Sequence, residues 1–141
     1  MSTFKILNYL LLYAFVILGF IYLIPRLLAY SLKTPYPLAA ITSGSMQPTL
    51  KEGDLVFIKG INQEKVKEGI KEGQILVYHN DLGFIVHRVV SIDKDNLVTK
   101  GDANLVIDKP IDYKQVIGTV VSINNQPVRI PYFGYLTLLV K

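Results

Sequence analysis

The sequence predicts a mainly β fold, with a compact, β-barrel-like domain after one N-terminal transmembrane helix. Three observations support this class. The chain begins with a long apolar stretch, 50% of its residues are hydrophobic, and short runs rich in Val and Ile recur between turn signals. A chain of 141 residues has room for one such helix and one domain of about 100 residues.

The apolar stretch from Ile6 to Ile24 reads ILNYLLLYAFVILGFIYLI and contains no charged side chain. A helix rises about 1.5 Å per residue, so the stretch nearly spans a hydrocarbon core of about 30 Å. We predict a retained anchor and not a cleaved signal peptide. The stretch is longer than a signal-peptide core, and the bulky Ile24-Pro25-Arg26 follows it in place of a small-residue cleavage site.

Prolines at positions 25, 35 and 37 predict that the helix ends there and that residues 26–40 form a connector. We assign residues 1–30 to the anchor, 31–131 to the β-rich domain and 132–141 to an apolar C-terminal tail. The tail is too short to span a bilayer, so it is expected to pack on the domain or to lie at the membrane interface.

Five segments are predicted to be strands, because each is rich in β-branched residues and is bounded by Gly, Asn or Asp. They are Leu55–Lys59, Gln74–His79, Phe84–Ile92, Leu97–Lys100 and Val116–Ile123. Many short strands at this spacing favour a barrel or folded sheet over a parallel α/β fold. Between the first two strands, Gln63–Ile70 is compatible with a helical turn.

Composition excludes several kinds of chemistry. The chain has no cysteine, so thiolate nucleophiles, disulfides and cysteine zinc sites are excluded. The net charge is +4, but the basic residues are scattered, and we expect no nucleic-acid partner. Only His79 and His87 ordinarily titrate near neutral pH, so a histidine base must be one of these two.

The segment Ser43-Gly44-Ser45-Met46-Gln47-Pro48-Thr49 is the strongest local pattern. Gly44 permits close approach of a substrate to Ser45, and Pro48 stiffens the following turn. Serine becomes a good nucleophile when a neighbouring base takes its proton. The hydroxyl of Ser43 and the backbone N–H of Ser45 are candidate donors to an oxyanion. The alternative is an ordinary polar turn, in which the same residue types are common.

His87 lies within a predicted strand, where alternation places it on one face with Ile85 and Val89. Shielding by β-branched neighbours suits a base that must be neutral near pH 7. The alternative is a half-buried histidine bonded to a carbonyl group. His79, at a strand end beside Asn80, has the pattern of a turn or surface residue.

A histidine base needs a carboxylate that fixes its tautomer, and Asp102 and Asp108 are the two candidates. Asp102 follows a glycine and is also compatible with a turn residue that bonds to its own backbone. Asp108 precedes Lys109-Pro110 and is also compatible with a solvated loop acid. Spacing alone does not choose between them.

Together these segments resemble the type I signal peptidases of the archaeal and endoplasmic-reticulum branch. Ser43–Thr49 resembles the nucleophile box S-G-S-M-x-P-T, and Ile85–Val89 resembles the box in which this branch has histidine where the bacterial branch has lysine. Further matches to the family's later boxes are Thr99–Asn104 with Asp108, Val116–Gly118 and Ile130–Gly134.

The resemblance implies a membrane-bound serine endopeptidase that cleaves signal peptides from exported preproteins after small residues in an Ala-x-Ala-like pattern. It implies that Ser45 is the nucleophile, His87 the general base and Asp108 the acid paired with it. Asp102 is then a second important acid, and Ser43 the oxyanion donor. The resemblance implies no metal or cofactor.

The expected partners are preproteins, the lipid bilayer and the protein-export translocon. The expected location is the cell membrane, with one span and the catalytic domain on the extracytoplasmic side. Two alternatives stay open. One is a related processing peptidase for a pilus or conjugation substrate, and the other is an inactive homologue that acts as a membrane-bound scaffold or subunit.

Overall fold

The computed structural model describes residues 3–138, in which a long N-terminal helix precedes a β-rich domain. Helix α1 spans Thr3–Leu32. Within the described chain, Lys5–Leu32 is the one helix long and apolar enough to cross a membrane. Side chains are exposed throughout residues 5–27, so the domain does not cover this part of the helix.

Helix α1 extends further than the sequence predicts. Pro25 lies inside it, although we predicted a connector from residue 26, and that prediction is wrong for residues 26–32. Proline removes one helical hydrogen bond, but the residues after it, RLLAYSL, contain several strong helix formers. The helix ends at Lys33, whose φ of 53° is left-handed, and the N–H of Thr34 donates to the carbonyl of Ala29 at 3.1 Å.

Ten strands follow among the described residues: β1 (Leu38–Ala40), β2 (Leu55–Gly60), β3 (Ile75–Asn80), β4 (Gly83–Ile92), β5 (Asn96–Lys100), β6 (Ile111–Asp112), β7 (Val116–Val120), β8 (Ser122–Ile123), β9 (Gln126–Pro127) and β10 (Arg129–Ile130). The domain also has two short α-helices, α2 (Val66–Gly69) and α3 (Gly134–Leu138). Two 3-10 turns, Gln63–Lys65 and Tyr113–Gln115, complete the set.

Eight strands form one sheet in the order β1-β2-β7-β3-β4-β5-β6, with β10 also paired to β2, and β8 pairs with β9 separately. The strands pair antiparallel throughout. The prediction of a mainly β domain after an apolar helix is confirmed. Strand β1 falls within the predicted connector. Its three residues are too few to show the alternation from which a strand can be predicted. The predicted strand Val116–Ile123 is divided at Val121 into β7 and β8.

Strand β3 is buried on both faces and forms the rigid support for β4. Ile75 and Val77 pack into one hydrophobic cluster, while Leu76 and Tyr78 pack into another on the opposite face. The first cluster also contains Met46, Leu50 and Val56. Because β4 aligns residue by residue with β3, side chains on β4 are held at fixed positions.

The described part of the C-terminal tail contacts the domain. The N–H of Gly134 donates to the carbonyl of Gly53 at 2.9 Å, and the Tyr135 hydroxyl donates to the carbonyl of Glu52 at 3.3 Å. Tyr132 and Phe133 remain exposed. Residues 139–141 of the predicted tail, and residues 1–2 of the predicted anchor, lie outside the described residues. The division into anchor, domain and tail stays a prediction.

Candidate active site

Ser45 lies in a turn whose following residues are anchored in the core. The side chains of Met46 and Leu50 are 1% and 0% exposed, and the N–H of Leu50 donates to the carbonyl of Met46 at 2.9 Å. Burial of these two side chains on one turn fixes the backbone beside Ser45. The Ser45 side chain is left partly exposed, as a nucleophile requires.

A second turn, formed by residues 101–104, packs directly against the Ser45 turn. The N–H of Ala103 donates to the carbonyl of Ser45 at 2.8 Å. A Cβ atom at Gly101 would lie only 2.6 Å from the same carbonyl oxygen, which is closer than real Cβ contacts come. Glycine at position 101 therefore permits the approach of the two turns.

His87, on β4, lies between Ser45 and Asp108. Its Nε2 atom is 3.1 Å from Ser45 Oγ, and its Nδ1 atom is 2.6 Å from Asp108 Oδ2. An ionised carboxylate only accepts hydrogen bonds, so Nδ1 carries the hydrogen and donates to Asp108. In a neutral imidazole Nε2 is then free to accept from the Ser45 hydroxyl. The three groups form a continuous hydrogen-bond path, and His87 is itself only 9% exposed.

Asp108 is held by three further contacts. Its backbone N–H donates to the carbonyl of Thr99 at 2.8 Å, and the Thr99 hydroxyl donates to Oδ2 at 2.8 Å. The Tyr78 hydroxyl donates to the same oxygen at 3.4 Å. Burial, together with the nearby negative charge of Asp108, raises the pKa of Tyr78, so its hydroxyl remains a donor. The sequence alone indicates no role for Thr99 or Tyr78, although Thr99 begins the third matched box.

Asp102 pairs with Arg88. The Arg88 Nε and Nη2 atoms donate to the two Asp102 oxygens at 2.8 and 2.6 Å, and the Thr49 hydroxyl donates to Oδ2 at 2.5 Å. Arg88 Nη1 also donates to the carbonyl of Gly73 at 2.7 Å. Hydrogen bonds from Arg88, and secondarily from Thr49, lower the pKa of Asp102 against the opposing effect of burial. Asp102 therefore connects β4 to the Ser45 turn.

The structure thus brings together four of the five predicted site residues and places the fifth beside them. Ser43 Oγ is 3.2 Å from Ser45 Oγ, on the exposed side of the turn. Asp102 lies next to this group, with its oxygens bonded to Arg88. His79 is exposed, and its ring packs edge-on against Phe84 with centroids 5.4 Å apart. The catalytic roles of these residues stay predictions.

No protein-family model matches the chain. Among curated proteins, the signal peptidase complex catalytic subunit sec11 of Sclerotinia sclerotiorum is 36% identical over 123 residues, which cover 77% of this chain and 66% of the relative. The corresponding subunit of Pyricularia oryzae is 34% identical over 129 residues, covering 81% and 69%. That of Tuber melanosporum is 33% identical over 134 residues, covering 81% and 68%.

The chain belongs to the family of signal peptidase complex catalytic subunits. This confirms the resemblance to the endoplasmic-reticulum branch inferred from the boxes. The chain spans about two thirds of the length of the curated relatives that it matches. In this member of the signal peptidase family, the matched boxes around Ser45 and His87 line the same cleft.

The cleft has a volume of about 670 Å³ and opens beside Ser45 and His87. One wall comes from residues 38–43, which lead into the Ser45 turn, and the other from residues 82–87 of the β3–β4 hairpin. Strand β5 pairs only with residues 88–92 of β4, so the outer edge of residues 83–87 carries no strand within the described chain. Apolar side chains that line the cleft include Met46, Ile58, Val77, Ile85 and Val86.

Proposed function

We propose that this chain is a membrane-anchored serine endopeptidase that removes N-terminal signal peptides from exported preproteins, cutting after small residues in an Ala-x-Ala-like pattern. The observation that carries the proposal is the hydrogen-bond path from Ser45 Oγ through His87 to Asp108, with steps of 3.1 and 2.6 Å. Membership of the signal peptidase catalytic-subunit family supports it.

The first step is acylation. Ser45 Oγ attacks the carbonyl carbon of the scissile bond, and its proton passes to His87 Nε2. Asp108 stabilises the imidazolium that forms. The backbone N–H of Ser45 and the hydroxyl of Ser43 donate to the oxyanion, and loss of one such donor typically costs about 3 kcal/mol of transition-state stabilisation. The C–N bond then breaks, and His87 returns the proton to the amine that becomes the mature N-terminus.

The second step is deacylation. The signal peptide is now an ester on Ser45, and His87 takes a proton from a water molecule that attacks this ester. Breakage of the ester bond returns the proton to Ser45 Oγ and releases the signal peptide with a free carboxylate. After one turnover, Ser45 and His87 are back in their starting protonation states.

Asp102 serves as a positioning residue in this scheme. Its oxygens bind Arg88, the residue after His87, and also the hydroxyl of Thr49, at the end of the Ser45 turn. The carboxylate therefore links the strand that carries the general base to the turn that carries the nucleophile. It does so on the face of β4 opposite to that of His87 and Asp108. Charge-assisted bonds of this kind are stronger than neutral ones, so they limit relative motion of the two segments.

The substrate enters as an extended segment along the cleft. The unpaired edge of residues 83–87 offers backbone groups to such a segment, as in other cases of strand addition. The apolar side chains of Met46 and Val86 line the cleft beside Ser45. The proposed Ala-x-Ala-like preference places small, apolar substrate side chains against this lining.

Helix α1 serves as the anchor and keeps enzyme and substrate in one membrane plane, which raises their effective concentration. The relatives are named as subunits of a signal peptidase complex, and we extend this to membership of a membrane complex that works beside the export translocon. The domain then lies on the extracytoplasmic face of the cell membrane, where substrates emerge.

A labelled preprotein tests this function. The purified chain is incubated with the preprotein in detergent, and the N-terminus of the shortened product is sequenced. We expect one new N-terminus directly after a small residue, and a large loss of rate when that residue is changed from Ala to Leu. No product from any preprotein would favour the inactive scaffold, whereas cleavage of pilus or conjugation precursors alone would favour the specialised peptidase.

A further inference from the structure

Asn104 brings a side-chain amide to the catalytic end of the cleft, and no step of the proposed mechanism uses it. The side chain is half-buried and lines the cleft together with Ser45 and His87. Its Oδ1 and Nδ2 atoms form no hydrogen bond within residues 3–138. Shielded polar groups in folded proteins usually have a partner, so this amide is open to one that the substrate supplies.

The backbone fixes the position of this amide. The N–H of Asn104 donates to the carbonyl of Gly101 at 3.0 Å, within the turn that packs against Ser45. A Cβ atom at Gly101 would lie 2.8 Å from Asn104 Nδ2 and 2.6 Å from the Ser45 carbonyl oxygen. These two atoms are therefore separated by no more than the sum of the distances, about 5.4 Å. The amide lies within about two extended residues of the nucleophile.

Sheet topology places the amide beyond the end of the cleft. Strands β1 and β4 flank the cleft and run in the same direction, because four antiparallel pairings separate them. The two walls meet through the rings of Tyr36 and Phe84 at one end, and through Ser45 and His87 at the other. Within the described chain, Asn104 is the one lining residue that belongs neither to these walls nor to the floor between them.

We propose that Asn104 binds the backbone of the mature segment directly after the scissile bond. The inference rests on the proposed function, in which the cleft holds the residues before the cut, so that the residues after it continue past Ser45. The amide of Asn104 has donors and an acceptor in one plane, and a peptide backbone presents the complementary C=O and N–H groups. Bonds to backbone require no particular side chain, so mature sequences of many kinds would be accepted.

This contact would act on acylation and not on deacylation. His87 must return its proton to the nitrogen of the scissile bond as that bond breaks, so the nitrogen has to be held towards Nε2. Asn104 would hold it through the backbone that follows, and a neutral amide adds no charge beside the imidazole. The mature segment has left before water attacks the ester on Ser45, and the contact is then absent.

Two substrates with the same signal-peptide residues test the contact. One is a peptide that extends several residues past the cut, and the other ends at the cut as a methyl ester, whose leaving group is methanol without a backbone. The value of kcat/KM, which reports acylation, is measured with the full chain in detergent for wild type, Asn104→Ala and the isosteric Asn104→Asp. The control is Asn96→Ala, since Asn96 is exposed at the start of β5 and does not line the cleft.

We expect both Asn104 variants to lower the peptide-to-ester ratio of kcat/KM by about fivefold to tenfold, and Asn96→Ala to leave it within about twofold of wild type. The ratio comes from one preparation, so it does not depend on the fraction of protein that is folded. Equal losses on both substrates would overturn the proposal and favour a contact to the oxyanion.

An unchanged ratio in both Asn104 variants would overturn the proposal as well. If wild type still cleaves the peptide, either of these results leaves the proposed function in place. Wild type that cleaves neither the peptide nor the ester would instead refute the proposed function, and this inference with it.

Discussion

Replacement of Asp108 by asparagine separates the role of this acid from that of Asp102. The Thr99 hydroxyl and His87 Nδ1 both contact Oδ2 of Asp108, so an NH₂ group of the introduced asparagine at that position would donate to the His87 ring, and the Thr99 hydroxyl would turn to accept. His87 Nδ1 must then accept, which moves the ring hydrogen to Nε2. With a hydrogen on Nε2, the imidazole can no longer take the proton of Ser45.

The loss is large because a tautomer change removes the base and leaves the geometry intact. An equivalent Asp→Asn change in a Ser-His-Asp protease lowers kcat about 10⁴-fold, or roughly 5.5 kcal/mol. Asp102→Asn is the matched control, since its amide oxygen still accepts from Arg88 or Thr49. Charge assistance is lost there, together with the hydrogen bond to the oxygen that the NH₂ group replaces, and we expect a decrease of about tenfold, or 1.4 kcal/mol.

The assay is kcat/KM for preprotein cleavage in detergent, with circular dichroism and thermal unfolding to verify that each variant is folded. A folded Asp108→Asn variant within tenfold of wild type would refute the tautomer argument. A larger loss in Asp102→Asn than in Asp108→Asn would reassign the acid of the triad to Asp102.

Three further predictions concern stability and positioning. Arg88 lowers the pKa of Asp102, so this ion pair stabilises the fold at pH values above the ordinary carboxyl pKa of 3.8 and loses its contribution as the pH falls below that value. The unfolding free energies of wild type and Asp102→Asn, measured with urea, should therefore converge at low pH. Asp54→Ala should lower the unfolding free energy by about 3 kcal/mol, because Asp54 is buried and its loss leaves Arg129 unpaired. Asp95→Ala, which breaks an exposed ion pair, should lower it by less than about 1 kcal/mol. Thr99→Val removes one hydrogen bond to the acid beside His87 and should lower kcat several-fold with little change in KM, a split that steady-state kinetics reports.

The central strands could be predicted from sequence because each carries its own local signal. Leu55–Lys59 and Phe84–Ile92 are rich in β-branched residues and follow Gly or Asp, and both appear within one residue of their predicted starts. Strand β1 and the short strands β8 to β10 contain two or three residues each, so their pairing comes from tertiary contacts that no local pattern contains. Pro25 predicts a helix end, but in the structure the strong helix formers after it outweigh this local signal.

The site could be predicted in outline because the boxes are short and local, but its connections could not. Asp102 and Asp108 both follow the same strand, and only the fold shows that Asp108 reaches His87 while Asp102 reaches Arg88. Arg88 points away from His87 by strand alternation, so nothing in the sequence connects it to the Ser45 turn.

The account depends most directly on the hydroxyl of Ser45, and the initial rate of preprotein cleavage by Ser45→Ala tests it. We predict a fall of about 10⁴-fold or more for Ser45→Ala, and a comparable fall for His87→Ala, because members of such a triad act as one unit. Folded, membrane-inserted Ser45→Ala that yields the same new N-terminus at the wild-type rate would contradict the account.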